Sequence, residues 1–176
     1  MMTKEQYIES LRKLNLKVYF MGELISNPVD HPMIRPSMNS VAMTYELAEK
    51  DEYKTLMTAK SNLTGKTVNR FCHLHQSTED LINKVKMQRL VGQKTGACFQ
   101  RCVGMDAFNA IYSTTYEIDQ AHGTEYHKRF TEYLIYVQDN DLTVDGAMTD
   151  PKGDRGLSPS QQEDPDLYLR IKEVRP

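Results

Sequence analysis

Between Ser77 and Asp141 apolar residues return at helical intervals almost without interruption, and that run confines the chain to a mainly α fold. Ser77 can cap a helix that carries Leu81, Ile82, Val85 and Leu90 on one side. After a weak break at Thr95-Gly96, a second series holds Phe99, Val103, Phe108, Ile111, Thr115 and Ile118. Gly123 followed by Thr124 reads as a stop and a start: a glycine suited to a left-handed terminus, then a hydroxyl cap. Tyr126, Phe130, Tyr133, Leu134 and Val137 then form an amphipathic stripe. These helices are expected to pack on one another as a bundle.

Upstream, Thr3 and Gln6 have capping-box spacing ahead of Tyr7, Ile8, Leu11 and Leu14, which predicts a first helix. The stretch from Leu16 to Ile25 suits a short hairpin around Gly22. Pro28, Pro32 and Pro36 punctuate an irregular segment. Val41, Met43 and Leu47 predict a second helix from Ser37 to about Lys50, whereas residues 51–76 show no clean period. Beyond Asp141 the run from Asp145 to Gly156 is rich in Gly, Asp and Pro, and Leu167 to Val174 alternates like a half-buried strand. A lone terminal strand leaves its ladder groups unmet, so the sequence reads as ending where a β-domain begins. The expected division is a helical domain over 1–142 and a turn with a first strand over 143–176.

With 22 basic and 24 acidic residues the net charge is −2, which argues against a nucleic-acid partner. No apolar run reaches the ~20 residues needed to span a bilayer, so no membrane partner is expected. The polar start is neither a secretory signal nor a transit peptide. Three cysteines do not make a disulfide framework, and the expectation is a cytoplasmic protein with reduced thiols.

Cys98-Phe99-Gln100-Arg101-Cys102 is the most informative motif. On a helix, residues four apart share a face, so both sulfurs can meet one object, and thiolates suit an iron–sulfur or zinc site. Spacing alone favours two small core cysteines instead. Cys72, with His75, could complete a zinc set, although core-satisfied or solvated histidines fit that mixed spacing better. The run from Asp145 to Arg155 can offer backbone donors and cations to a flavin or phosphate, but it lacks a dinucleotide fingerprint and taken alone is a surface loop. His31, His122 and His127 read as capping or solvated residues.

The words from Lys86 to Thr95, from Cys98 to Ala110, from Asp30 to Ser37, from Leu74 to Thr78 and from Asp145 to Arg155 resemble the 4-hydroxybutyryl-CoA dehydratase (vinylacetyl-CoA Δ-isomerase) family over essentially the whole chain. The resemblance implies an acyl-CoA dehydrogenase-like subunit of which this is the amino-terminal helical bundle. A central β-domain and a carboxy-terminal bundle would follow, in a homotetramer with FAD and a [4Fe–4S] cluster at an acyl-CoA channel. By position, Cys98 and Cys102 resemble two of three cysteine ligands, with the third and a histidine ligand outside this chain. Gln100 would face the substrate as a catalytic residue, and Met148, Thr149, Lys152 and Arg155 resemble flavin-contacting positions. The implied reaction reversibly dehydrates 4-hydroxybutyryl-CoA to crotonyl-CoA and isomerises vinylacetyl-CoA, through one-electron flavin chemistry with the cluster as Lewis acid. The related flavin-dependent aromatic hydroxylases, such as 4-hydroxyphenylacetate 3-monooxygenase, typically carry an Arg and a Tyr in the segment matching Gly104 to Asn109 and a His near Gly146. Met105, Phe108 and Gly146 stand there instead, which favours the dehydratase reading. A non-catalytic helical module is the third alternative.

Overall fold

The capping box at the start of the chain forms as its spacing predicts: the Thr3 N–H donates to Gln6 Oε1 (2.8 Å) and the Gln6 N–H to Thr3 Oγ1 (3.1 Å). They open α1 (Lys4–Lys13) in a computed structural model that describes residues 1–146, 154, 156–158 and 161. Strands β1 (Val18–Phe20) and β2 (Glu23–Ile25) pair antiparallel, Val18 opposite Ile25. Met21 and Gly22 join them with φ of 53° and 84°, the double positive φ of a tight hairpin turn. Then follow α2 (Arg35–Glu49), with Pro36 in its first turn, and α3 (Asp51–Met57).

The stretch without a clean period folds as α3, a hairpin of β3 (Thr58–Lys60) with β4 (Thr67–Asn69), and a 3-10 turn over Arg70–Cys72. Next come α4 (Thr78–Thr95), α5 (Arg101–His122) and α6 (Tyr126–Asn140). Ser77 Oγ accepts the Asp80 N–H (3.2 Å) at the start of α4, and Gly96 (φ 60°) and Gly123 (φ 63°) take left-handed conformations after α4 and α5. Among the described residues the protein is thus mainly helical, as expected. The expected strand over Leu167 to Val174 and the positions Met148, Thr149, Lys152 and Arg155 lie outside them.

Helix α2 is the centre of the unit Met1–Asp145 because it is buried on two sides. Met38, Val41, Ala42 and Tyr45 meet Tyr7 of α1 and Val29, the Tyr7 and Tyr45 rings stacking at 4.7 Å. Leu47 and Ala48 meet Met57, Phe71, Met87, Val91 and Met105. A third cluster, Leu74, Phe108, Leu134 and Val137 with the Cys72 side chain, joins α5 to α6. In the second unit, Gly146–Pro176, the Asp154 carboxylate accepts the Gly156 N–H (2.8 Å) in a local turn.

Two expectations need correction. Leu81, Ile82 and Val85 of α4 are exposed, while Met87 and Val91, one turn apart, are fully buried. The second half of α4 lies on α2 and α3 and shares a core cluster with Met105 of α5, while α5 and α6 pair as a helical hairpin, so the bundle is covered by faces other than the Leu81 stripe. Nor does Thr124 cap α6. Its hydroxyl donates to Asp119 Oδ1 (2.5 Å), and the Asp119 carboxylate takes the N–H groups of Tyr126 (2.9 Å) and His127 (2.8 Å). A carboxylate on the preceding helix supplies the cap through space, a pairing invisible to a rule that looks only one residue upstream.

Past α6 the chain turns at Asp141 (φ 48°) and crosses α5 at Gly104, where an added Cβ would lie 2.0 Å from the Val144 carbonyl oxygen. Gly104→Ala gains roughly 1 kcal/mol of helix propensity but collides with backbone. The expected outcome is a net loss of about 2 kcal/mol, read as a lowered urea midpoint. An unchanged midpoint would contradict the crossing.

Candidate functional site

The cysteine pair sits in the link between α4 and α5, and the two residues do not share a helical turn as the spacing predicts. Cys98 is exposed and precedes the helix; Cys102 is half-buried in its first turn. Between them lies a γ-turn: Gln100 has φ 64° and ψ −38°, and the Arg101 N–H donates to the Phe99 carbonyl across it (2.7 Å). Such a conformation is uncommon in a non-glycine residue and costs on the order of 1–3 kcal/mol, so the surroundings must impose it. The Cys102 thiol contacts the Gln100 carbonyl oxygen (3.9 Å), and the half-buried Gln100 side chain does not cap α5.

The Cys102 thiol feels its surroundings. Burial pushes the Cys102 thiol up, the neighbouring Cys98 raises it further, and backbone N–H groups of Val103 and Cys102 pull it down. A cation beside Cys102 would favour its thiolate. Among the described residues no three His, Cys, Asp or Glu side chains gather around one point. By chemistry the two thiols are groups that could ligate a metal, and among the described residues no third such side chain joins them.

Arg101, between the cysteines in sequence, was not singled out by the motif, yet it is the most deeply set charge here at 1% exposure. Nη1 donates to Thr44 Oγ1 (3.0 Å); Nη2 lies 3.5 Å from Cys72 Sγ, 3.5 Å from Asp141 Oδ1 and 3.4 Å from the Leu142 carbonyl. Its guanidinium also stacks over the Tyr45 ring at 4.5 Å and the Phe71 ring at 5.2 Å. Burial opposes its charge, but Cys72, Tyr45 and Asp141 win and hold it protonated. A lone arginine on an apolar helix start was the available signal.

Cys72 itself is no partner for the pair. It is buried, and burial pushes its thiol up to about 11. Nor does His75 join it in a metal set. His73 Nε2 lies 3.2 Å from Asp80 Oδ1, and Asn109 clamps the segment by accepting the His75 N–H (2.8 Å) and donating to the His73 carbonyl (3.4 Å). His73 Nδ1 and His75 Nε2 are buried with no hydrogen-bond partner among the described residues. Burial holds His73 down despite Asp80, and burial followed by the Lys84 charge holds His75 down. His31 Nδ1 accepts the Met33 N–H (3.3 Å), whereas His127 is half-buried against Tyr112 and is neither a cap nor solvated.

With folded values below the ordinary 6.5, both imidazoles refuse protons that the unfolded chain accepts. Their contribution is complete above that pH and shrinks as pH falls through it. Unfolding free energy should therefore decline as pH falls below 6.5, and His75→Gln should flatten that decline in urea titrations. Identical slopes in the variant and the parent protein would remove His75 from the account.

Residues 3–176 match the family model described as the amino-terminal region of 4-hydroxyphenylacetate 3-hydroxylase. The chain is 75% identical over 175 residues to 4-hydroxybutyryl-CoA dehydratase/vinylacetyl-CoA-Δ-isomerase of Clostridium aminobutyricum, covering 99% of this chain and 36% of that protein. It is 26% identical over 173 residues to the oxygenase component of 4-hydroxyphenylacetate 3-monooxygenase of Thermus thermophilus, covering 98% of this chain and 34% of that one. An oxygen-tolerant archaeal 4-hydroxybutyryl-CoA dehydratase from N. maritimus superposes with a TM-score of 0.84 at 60% identity, over 94% of this chain and 33% of that one. A 4-hydroxyphenylacetate 3-monooxygenase oxygenase component, solved with FAD and 4-hydroxyphenylacetate, shares the fold at a TM-score of 0.65 and 24% identity, over 94% and 34%. The chain spans about a third of the length of these relatives. By these matches and by its helical fold, the chain belongs to the 4-hydroxyphenylacetate 3-hydroxylase amino-terminal family.

Proposed function

We propose that this chain is the amino-terminal part of a flavin- and [4Fe–4S]-dependent 4-hydroxybutyryl-CoA dehydratase. The whole protein would convert 4-hydroxybutyryl-CoA reversibly to crotonyl-CoA and water and isomerise vinylacetyl-CoA to crotonyl-CoA. The observation that carries the reading is identity to the clostridial dehydratase across nearly the whole chain, together with two free thiols flanking the start of α5. Cys98 and Cys102 would hold the cluster on one side, with the remaining ligands from elsewhere in the longer polypeptide. The bound cluster supplies Lewis acidity toward the leaving hydroxyl, and FAD supplies one-electron chemistry.

This chain's own residues have positioning work. The γ-turn lifts Gln100 between the two ligands, where its amide can donate to and accept from a bound acyl group. Met148, Thr149, Lys152 and Arg155 are proposed as flavin contacts, with two cations for the anionic parts of the cofactor. A homotetramer in the cytoplasm completes the reading; among the described residues no helix is long and apolar enough to cross a membrane. The aromatic-hydroxylase alternative is disfavoured because Met105 and Phe108, where such enzymes carry polar side chains, are core residues at 0% and 3% exposure.

In the full-length protein, purified anaerobically, Cys98→Ala or Cys102→Ala should lose most of its iron and acid-labile sulfide. Iron content equal to the unaltered protein would overturn the ligand assignment. The 176-residue chain alone should not turn over 4-hydroxybutyryl-CoA, since half of the ligand set is elsewhere; measured turnover by it would contradict that division of labour.

A further inference from the structure

We infer that Arg101 is the positioning residue that holds the Cys98 and Cys102 thiols in register, by locking the γ-turn at Gln100 from beneath. Its significance rests on the ligand reading above, whereas its test does not. Three observations meet at this residue. Its backbone N–H closes the turn on the Phe99 carbonyl at 2.7 Å. Its guanidinium is pinned by Thr44 Oγ1 of α2, Asp141 Oδ1 and the Leu142 carbonyl, so the residue cannot shift along α5 without stranding a buried charge. Both legs of the turn also rest on one ring, since Phe71 lies 5.2 Å from the Arg101 guanidinium and 5.6 Å from the Phe99 ring.

The strain at Gln100 then has a source. A positive φ there persists because the side chain one residue on is fixed in the core and the ring one residue back is fixed on Phe71. Cys98, being exposed, has no burial of its own to hold it. Relaxation of the turn toward ordinary φ would carry Cys98 away from Cys102 while leaving α5 intact.

The test uses the full-length protein, reduced and freed of iron, with phenylarsine oxide as a probe that needs two thiols held close together. The double variant Cys98→Ala/Cys102→Ala serves as the control that abolishes tight binding, since it leaves a single thiol of the ligand set. Arg101→Met, nearly matched in volume but lacking donors, should bind the arsenical about tenfold more weakly when measured below its melting transition, the order seen when a ligand's supporting contact is lost. Arg101→Lys should recover part of that loss. Unchanged affinity in a folded Arg101→Met protein overturns the inference. Should Arg101→Met not fold, Thr44→Val, which removes a single acceptor, and Arg101→Lys decide it: weaker binding in both supports the inference, and parental affinity in both refutes it. Failure of the dehydratase reading looks different, as a parent protein that binds the arsenical tightly yet takes up no iron.

Discussion

A single cation with almost no access to water organises this unit. An unpaired buried guanidinium is costly enough that removing one partner of such a charge destabilises by about 3–5 kcal/mol. The partners of Arg101 come from α2 (Thr44, Tyr45), from the 3-10 turn (Phe71, Cys72) and from the chain leaving α6 (Asp141, Leu142). Asp141 is held in turn by the Met2 N–H at 3.0 Å, and Tyr45 donates its hydroxyl to the Asp141 carbonyl at 2.8 Å. Segments far apart in sequence therefore share one electrostatic knot, and none can move without exposing or orphaning another's polar groups.

The geometry of the cysteine pair follows from that knot. A regular helix through residues 98–102 would have placed both sulfurs along one face at a fixed rise. The γ-turn instead leaves Cys98 on the rim and seats Cys102 at the first turn of α5, where burial pushes its thiol up and the backbone N–H groups of the helix start offset only part of that. The close crossing of Val144 over Gly104 brings the chain after α6 against the same helix end. Cys102 and the exit segment thus meet one stretch of α5.

Local chemistry made several elements legible. The Thr3–Gln6 box, the Ser77 cap, the glycines at 22, 96 and 123 and the buried positions Leu134 and Val137 all follow from rules that act over a few residues. Residues 51–76 were opaque because α3, β3 and β4 are each too short to show a period, and long-range contacts such as Arg70 Nη2 to the Thr58 carbonyl (2.7 Å) hold them. Leu81, Ile82 and Val85 misled because an apolar stripe announces a face and not the neighbour that covers it.

The candidate site divides along the same line. From the sequence alone came the mainly helical architecture, the breaks at Gly96 and Gly123, and the two thiols with a glutamine and an arginine between them, since periodicity and residue type are properties of the chain itself. Tertiary structure decided which helix faces are covered, that Asp119 caps α6, and that a strained turn, not a turn of helix, separates the two cysteines. The physical reason is that strain and buried charge are tolerated only where distant groups compensate them, and compensation between Arg101, Thr44 and Asp141 exists only once the chain has folded.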